Sequence, residues 1–302
     1  MEGKTKGIIY GVLASVLWGT IWPLSKVLTA HYEINPFYIA FLRFLIAGLT
    51  MLGFFIWKRD VKFIASFRQH WRSSILLGFF GMFGMGSLVF CSIKYTTTVN
   101  SSLLMNSNAI FIILFSLFIG EKITALKAAG TAAGLAGCYL IINNGFNISF
   151  FQSGTFMGDM MGVGAAVCWA AYTVIGRSKV RNADSSHLSA MNFLFGAIMI
   201  SALVVFMKVP VGNAFKPVPL AIIVYIAILP TAYGFTIWYY ALEHVEAGVL
   251  GLFQFIVPLI ATVAGVIFFK ERFTGFTFAG MALILTGVYF AGRNAGEKRP
   301  DA

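Results

Sequence analysis

Long stretches without a charged residue alternate along the chain with short stretches that contain them. An apolar run at 36–57 is interrupted by Arg43 alone. Nine further runs contain no charge: 7–25, 73–93, 95–120, 128–158, 160–176, 188–207, 217–242, 247–269 and 273–292. Since a helix needs about 20 apolar residues to span a bilayer, the pattern predicts an all-α membrane protein with ten transmembrane helices.

The sequence also contains an internal duplication. Residues 120–142 read GEKITALKAAGTAAGLAGCYLII, and residues 270–292 read KERFTGFTFAGMALILTGVYFAG, so that Glu121 falls on Glu271 at an offset of 150. Near the start, GVLASVLWGTIWPLSK matches GVGAAVCWAAYTVIGR at an offset of 151. Matches at nearly one offset over such distances indicate that the chain is built from two repeats.

The two repeats, residues 1–150 and 151–302, each contain five predicted helices. An odd number of spans turns the second repeat upside down in the membrane. Inverted repeats of this kind are typical of secondary transporters, which bind substrate near the middle of the bilayer between the repeats. We therefore predict two inverted five-helix repeats around a central site for a small-molecule substrate.

Composition and charge place the chain in a lipid bilayer and orient it. The chain is 59% hydrophobic and 11% charged, whereas soluble domains carry about 25% charged residues. If the N-terminus is cytoplasmic, fifteen of the 22 Lys and Arg residues lie on the inner side, six lie on the outer side, and Arg43 lies within a helix. Because inner loops collect positive charge, both termini are predicted in the cytoplasm. The net charge of +11 then reflects topology, and no nucleic-acid partner is expected.

The residues that carry enzyme chemistry are scattered in this sequence. Its four histidines lie far apart at helix ends, and its three cysteines lie in separate spans. Metalloprotease, hydrolase and nucleotide-binding motifs do not occur in it. We therefore expect a protein that is not an enzyme and that needs no cofactor or metal.

Polar and aromatic side chains inside predicted helices are candidates for binding a substrate. Trp18 and Trp22 are four residues apart and share a face of the first helix, where they line a cavity or belong to an interfacial aromatic belt. Arg43 lies about 10 Å into the second helix, where it contacts substrate, snorkels outward or binds neighbouring carbonyls. Further candidates in the second repeat are Tyr172, Trp238 and Gln254.

The fourth helix is polar around its whole circumference. Its polar residues are Asn100, Ser101, Ser102, Asn106, Ser107 and Asn108. A helix of this kind cannot face lipid, so it is buried in protein or lines a cavity. We select Asn106 and Asn108 as substrate-binding candidates. Glycines in helices five and ten are explained by packing or by contact with a second copy of the chain.

Several motifs resemble those of a known transporter family. WGTIWPLSK, GEKIT, WAAYTVIGR, YYALEHVEAG and KERFT are similar to segments of the ten-helix, EamA-type branch of the drug/metabolite transporter superfamily, over essentially the whole chain. The resemblance implies a transporter of a bacterial or archaeal inner membrane, with a central cavity lined by both repeats. Members often export amino acids and related metabolites. They commonly have a proline in the middle of helix four, where this chain has Ala109, so the resemblance does not predict a kink there.

Two transport functions and one other role remain open at this point. Export of a small zwitterionic or anionic metabolite, in particular an amino acid, suits the basic Lys26 and Arg43, which can bind a carboxylate. Efflux of lipophilic cations needs a deep carboxylate, whereas the deepest acid, Asp159, lies near a helix end. A membrane scaffold predicts no polar cavity and leaves the polar fourth helix unexplained.

The repeat offsets also predict a pair of gates. They place Lys26 over Arg177 and Glu121 over Glu271, with one cation and one anion at each membrane face. Lys26 and Glu271 would close the outer side, and Arg177 and Glu121 the inner side. Exposed ion pairs contribute only about 0–1 kcal/mol, so such gates can open in each cycle. The alternative is that all four side chains snorkel to the lipid headgroups.

Overall fold

A computed structural model of the chain describes residues 2–95, 101, 104–143, 145, 154–179, 183–269 and 274–296. Its regular structure within those ranges is helical, without a strand. The first five helices are α1 (Glu2–Gly19, Ile21–Lys26 and Val27–His31), α2 (Pro36–Trp57), α3 (Val61–Leu77, Gly78–Gly84 and Met85–Tyr95), α4 (Leu104–Ile119) and α5 (Ala125–Asn143). The second five are α6 (Phe156–Lys179), α7 (Ser185–Phe206), α8 (Pro217–Ile226, Ala227–Tyr233 and Gly234–His244), α9 (Ala247–Phe253 and Ile256–Phe269) and α10 (Gly275–Gly296).

Successive helices run in opposite directions. His187 at the start of α7 lies 2.9 Å from Asp60, which precedes α3, and Asn213 before α8 donates to the carbonyl of Tyr32 after α1. Seven of the ten helices are long and apolar enough to cross a membrane, and α4, α5 and α10 are shorter apolar helices. The predicted all-α membrane fold is confirmed. We name the end of the bundle where α1 begins the N-terminal face, and the other end the opposite face.

Contacts between α5 and α10 show how the two halves of the chain are related. A Cβ at Gly137 would lie 2.5 Å from the carbonyl of Gly280, and a Cβ at Gly280 would lie 2.6 Å from the carbonyl of Gly137. Gly130 and Gly287 form the same reciprocal contact further along the two helices. Glycine lets two helices approach this closely. The predicted packing role of these glycines therefore joins the two halves of one chain.

Helices α3 and α8 are distorted at equivalent positions. Each widens into a π-helical segment, Gly78–Gly84 in α3 and Ala227–Tyr233 in α8, at a repeat offset of 149. In α8 the segment contains Pro230, which has no N–H to donate to the preceding turn. The equivalent residue in α3 is Gly81, where a Cβ would lie 2.3 Å from the ring of Tyr172. Both distortions thus lie where a helix of the other half packs.

Helix α4 is interrupted at Ser107 without a proline. The Ser107 hydroxyl donates to the carbonyl of Leu104 at 2.5 Å, and the amide of Asn108 donates to the carbonyl of Met105 at 2.8 Å. Side chains of this type compete with backbone N–H groups for helical carbonyls and so interrupt or bend a helix. The polar residues of α4 therefore account for a break at the position where the resemblance did not predict a kink.

Helix α9 is interrupted at Gln254 and Phe255, shortly before Pro258. Helices α4 and α9 run antiparallel, and a Cβ at Gly251 of α9 would lie 3.2 Å from the side chain of Ile112 in α4. The break in each helix lies about one turn from this contact, towards the opposite face, so the two breaks are at the same level. Both breaks are therefore in the interior, between the two halves of the chain.

Candidate functional site

Two tryptophans that are equivalent in the repeats meet at the centre of the protein. The ring centroids of Trp18 in α1 and Trp169 in α6 lie 5.4 Å apart at an angle of 84°. Nε1 of Trp18 donates to the carbonyl of Pro230 at 2.9 Å, in the distorted segment of α8. Nε1 of Trp169 donates instead to Oε1 of Gln254 at 2.7 Å, at the break in α9. The hydrogen bonds at the centre therefore do not follow the symmetry of the repeats.

Further aromatic rings surround this pair. The rings of Phe235 and Trp238 in α8 each lie 5.0 Å from Trp18, and Tyr172 lies 5.1 Å from Trp169. The most exposed of the five rings is that of Trp18, at 7%. We call these five residues the aromatic centre: Trp18, Trp169, Tyr172, Phe235 and Trp238. The predicted candidates Trp18, Tyr172 and Trp238 are thus brought together.

Buried polar atoms without a partner lie in the aromatic centre and at the breaks in α4 and α9. Nε1 of Trp238 and Nε2 of Gln254 are donors that have no hydrogen-bond partner within the described parts of the chain. Oδ1 of Asn108, at the break in α4, is an acceptor that also has no partner among the described residues. Leaving such a buried group unpaired costs about 1–3 kcal/mol. A group of them in one place is typical of a site whose ligand supplies the missing partners.

The predicted substrate residues Trp22 and Asn106 lie outside both the aromatic centre and its hydrogen bonds described above. Trp22 is 40% exposed. A turn at Thr20, whose N–H donates to the carbonyl of Leu17, divides α1 and moves Trp22 off the face that carries Trp18. Asn106 is half-buried and lies just before the break in α4.

Arg43 connects to the aromatic centre through two phenylalanines. Its guanidinium carbon lies 4.6 Å from the ring centroid of Phe44. Phe44 stacks on Phe193 at 6.0 Å, and Phe193 meets Phe235 edge-on at 5.4 Å. Nε of Arg43 is buried without a hydrogen-bond partner among the described residues. Its positive charge is therefore placed near the centre, behind a layer of rings.

A group of charged residues lies at the N-terminal face. Oε1 and Oε2 of Glu121 accept the backbone N–H groups of Ala247 and Gly248 at 2.8 and 3.1 Å, so this carboxylate caps the N-terminus of α9. Nε of Arg177 lies 3.7 Å from Oε1 of Glu121, and Nζ of Lys127 lies 3.8 Å from Oε2. The predicted pair of Arg177 and Glu121 is thus in contact, and it holds α6 against the start of α9.

Two members of this group, Lys127 and Glu246, are not predicted from the sequence. Nζ of Lys127 is fully buried, lies 2.6 Å from Oε2 of Glu246, and donates to the carbonyl of Lys122 at 2.8 Å. One signal in the sequence points to it: at an offset of 150, Thr277 occupies the position of Lys127 in the second repeat. A charge present in one repeat alone marks a difference between the two membrane faces. We call the following residues the charge cluster: Glu121, Lys127, Arg177 and Glu246.

The other predicted gate falls partly outside the described residues. Glu271 is not among them. Lys26 is exposed and lies in α1 towards the opposite face. The pairing of Lys26 with Glu271 therefore stays a prediction.

Known proteins of similar sequence are named as transporters. The sequence profile of the EamA-like transporter family matches residues 5–143 and 156–293. An "Uncharacterized transporter" of Archaeoglobus fulgidus is 30% identical over 289 residues, which cover 96% of this chain and 97% of that protein. A "Probable amino-acid metabolite efflux pump" of Escherichia coli is 24% identical over 93% of this chain and 93% of that protein. One crystal structure, 23% identical, shares the fold with a TM-score of 0.84 over 97% of this chain and 98% of its own.

The profile match extends over most of the chain, and the relative from Archaeoglobus fulgidus aligns over nearly the full length of both proteins. The family predicted from the sequence motifs is confirmed. The protein is a multi-pass membrane transporter, and the chain belongs to the EamA-like transporter family.

Proposed function

We propose that this transporter exports small zwitterionic metabolites, in particular amino acids, across the cytoplasmic membrane by alternating access. The substrate site is the aromatic centre together with the breaks in α4 and α9. The observation that carries the proposal is the group of unpaired buried atoms there: Nε1 of Trp238, Nε2 of Gln254 and Oδ1 of Asn108. The hydroxyl of Tyr172, in the aromatic centre, is also unpartnered among the described residues and can donate or accept. Donors and acceptors together suit a ligand that has both a carboxylate and an ammonium group.

The helix breaks support binding of the carboxylate. The second segments of α4 and α9 begin at Asn108 and Ile256, in the interior of the protein. The first N–H groups of a helix have no partner within the helix, carry partial positive charge and bind anions. In transporters with interrupted helices, such ends point at anionic groups of the substrate. The charge of Arg43 behind the aromatic centre adds to the attraction.

The aromatic centre supports binding of the ammonium group. The faces of Trp18, Trp169 and Trp238 can attract a cation, and such a contact contributes about 0.5–2 kcal/mol. A zwitterion therefore needs no buried carboxylate to hold its positive end. The relative from Escherichia coli, a "Probable amino-acid metabolite efflux pump", supports the same substrate class.

The charge distribution supports an orientation with both termini in the cytoplasm. Among the described residues, twelve Lys and Arg residues belong to segments on the N-terminal face and four to segments on the opposite face, and such residues collect on the inner side. The charge cluster is then the inner gate and the pair of Lys26 and Glu271 the outer gate, while residues 1–150 and 151–302 rock against each other. Reporter fusions after Asp60 and after Lys216 should report inside and outside, respectively. The same signal from both would reject this topology.

Ligand binding to the purified protein tests the substrate class. A ligand that binds the folded state stabilises it by RT ln(1 + [L]/Kd), about 2.7 kcal/mol at 100 Kd. We expect one or more amino acids to raise the melting temperature and to exchange across the membrane of proteoliposomes. Stabilisation by quaternary amines, without a response to amino acids, would indicate efflux of lipophilic cations. Absence of both transport and binding would favour a scaffold.

A substitution in the aromatic centre tests the site. Trp238→Phe removes an unpaired donor and keeps an aromatic ring, so affinity should fall about two- to tenfold with little change in folding. The control is Trp57→Phe, at a residue that is 75% exposed. Equal substrate affinity of the two variants would place the substrate elsewhere.

A further inference from the structure

A groove separate from the aromatic centre opens at the N-terminal face. It has a volume of about 600 Å³ and lies between α1, the residues that precede and begin α7, and one side of α8. The side chains that give it its chemical character are Lys6, Tyr10, Asp184, Tyr233, Tyr240 and Glu243. Their arrangement, together with the packing of α1, determines what could occupy the groove.

None of the five residues of the aromatic centre lines the groove, and α1 is packed tightly along its other side. A Cβ at Gly3 would lie 2.7 Å from His244, one at Gly7 would lie 2.9 Å from Val245, and one at Gly11 would lie 2.6 Å from Leu250. This contact closes the path between α1 and the residues at the end of α8 and the start of α9. A lipid can therefore occupy the groove without contacting the aromatic centre.

Polarity changes along the length of the groove. Tyr233, which is 46% exposed, lies at its deep end, and Glu243 lies ten residues later on α8, about 15 Å away along the helix. Tyr240 lies between them and meets Tyr10 edge-on at 5.0 Å. The deep part is thus aromatic, and the charged residues lie at the membrane surface. A phospholipid has the same order, with apolar chains inside and a charged headgroup at the interface.

The charges that line the groove select among headgroups. Lys6 is cationic, whereas Asp184 and Glu243 are anionic, so the lining carries one net negative charge. This excess of acid lies on the face of the protein that collects most Lys and Arg residues. A headgroup with net negative charge is disfavoured here. A headgroup that joins a phosphate to a primary ammonium can place the phosphate near Lys6 and the ammonium near the carboxylates.

Asp184 is held in its ionised form at this position. Burial alone would raise its pKa, but hydrogen bonds from Ser186 and from the backbone N–H of His187 outweigh that effect, and its pKa is lowered. Its Oδ1 accepts the N–H groups of Ser186 and His187 at 2.8 and 3.2 Å and thereby caps α7. Glu243 is exposed and stands at the groove entrance. A negatively charged entrance is therefore a fixed feature of this fold.

We propose that the groove between α1, α7 and α8 binds one phospholipid whose headgroup carries both a phosphate and a primary ammonium. The primary ammonium can donate hydrogen bonds to the carboxylates of Asp184 and Glu243, which a quaternary ammonium cannot do. This site is independent of the substrate proposed above. Its test measures retained lipid and not transport, so the two proposals can fail separately.

Lipid retention by the purified protein tests this proposal. The protein is reconstituted in equimolar phosphatidylethanolamine, phosphatidylcholine and phosphatidylglycerol, extracted in detergent, and examined by native mass spectrometry. We expect one phosphatidylethanolamine to be retained in preference to the other two. Glu243→Gln and Lys6→Met should each reduce this preference about two- to fivefold, as expected for partly exposed ion pairs.

Matched substitutions at exposed residues serve as controls. Glu33→Gln lies on the opposite face and Lys62→Met lies on the N-terminal face outside the groove lining; both should retain the wild-type preference. Equal retention of the three lipids, a preference for phosphatidylglycerol, or equal losses in groove and control variants would each overturn the proposal. Melting temperatures in lipid-free detergent identify a variant that is misfolded, and Glu243→Gln and Lys6→Met can each decide the outcome alone.

Discussion

The ammonium of Lys127 lies 2.6 Å from the carboxylate of Glu246, and this contact joins α5 to the residue that precedes α9 at the N-terminal face. In the second repeat the equivalent of Lys127 is Thr277, whose hydroxyl lies 3.1 Å from that of Thr274. The N-terminal face therefore carries a contact between α5 and α9 for which the second repeat lacks the lysine. We expect the transporter to rest with this face closed.

Replacement of Lys127 by threonine, the residue of the second repeat, should favour opening of the N-terminal face. Lys127→Thr leaves the carboxylates of Glu121 and Glu246 without their shared ammonium, and loss of one partner of a buried ion pair costs about 3–5 kcal/mol. Cysteines introduced by Lys26→Cys and Glu271→Cys should then cross-link in higher yield, because closure of the opposite face accompanies opening of the N-terminal face.

The control for this prediction is Lys122→Thr, which removes a neighbouring charge whose side chain is not part of the charge cluster. The side chain of Lys122 is exposed, and only its carbonyl accepts from Lys127. Its replacement should leave the cross-linking yield unchanged. An unchanged yield in Lys127→Thr as well would show that the charge cluster does not set the resting state.

Charge reversal should distinguish the two predicted gates. Lys26→Glu and Glu271→Lys should each impair transport, and the double variant should recover part of it, because exchanged charges can re-form an ion pair. Glu121→Arg combined with Arg177→Glu should not recover, because arginine cannot accept the N–H groups that Glu121 accepts at the start of α9.

Initial rates in proteoliposomes measure both double-variant cycles. If the double variant of Glu121 and Arg177 recovered as much transport as that of Lys26 and Glu271, the capping of α9 by Glu121 would be unimportant. Additive losses at Lys26 and Glu271, without recovery, would favour the alternative in which these side chains snorkel to the headgroups.

Asn106→Leu and Asn108→Leu, made separately, should each reduce transport while expression and folding remain nearly unchanged. Oδ1 of Asn108 is unpaired among the described residues, and its amide makes one local hydrogen bond to the carbonyl of Met105. The Ser107 hydroxyl still supports the break in α4, so the loss of Asn108 should cost the folded protein little. Ile110→Leu, at a residue that is 39% exposed on the same helix, is the control. Full transport by both asparagine variants, or unfolding of both, would assign these side chains to packing.

The helices and their order could be predicted from the sequence because lipid imposes an apolar length on every span. The beginning of α3 shows the limit of that rule. The charge-free run predicts this helix from residue 73, but α3 begins at Val61. Arg68 and Arg72 lie on exposed parts of its first turns, where a charged side chain does not interrupt a helix. A search for charge-free runs does not detect a helix end that carries charged residues on its exposed side.

The site could be predicted only in part because it depends on contacts between distant segments. Helical spacing places Trp22 beside Trp18, but the turn at Thr20 separates them. The break in α4 requires local hydrogen bonds from Ser107 and Asn108, which a search for proline misses. The role of Lys127 depends on contact with Glu246, more than a hundred residues away, and only the broken repeat pattern hints at it.

Glycines at the contact of α5 and α10 should tolerate substitution less well than glycines elsewhere. Gly137→Ala places a Cβ 2.5 Å from the backbone carbonyl of Gly280, which cannot move aside as a side chain can. Such overpacking typically costs about 1–3 kcal/mol, so the melting temperature should fall. Gly53→Ala in α2 meets no atom within 4 Å and should be neutral or stabilising. Equal melting temperatures would contradict the close contact of the two helices.

Asp60 and His187 form a contact at the N-terminal face whose contribution should depend on pH. Oδ2 of Asp60 lies 2.9 Å from Nε2 of His187, whose ring meets Phe55 and Phe63 edge-on. The hydrogen bond with His187 lowers the pKa of Asp60. A carboxylate with a lowered pKa stabilises the fold above its unfolded pKa, about 3.9, and this contribution is lost as pH falls through the folded pKa.

Asp60→Asn should therefore lower the melting temperature at pH 7, and the difference from wild type should shrink as the pH falls below about 4. Oδ1 of Asp60 accepts a hydrogen bond from the N–H of Lys62 at the start of α3, and the Oδ1 of asparagine can do the same. The substitution therefore removes the charge and keeps the helix cap. Glu33→Gln, at an exposed carboxylate on the opposite face, is the control and should show no such trend. The side chain of Asp60 is 28% exposed, so solvent screening keeps the effect small. A difference that stays constant from pH 7 to pH 3 would mean that the charge of Asp60 contributes nothing through His187.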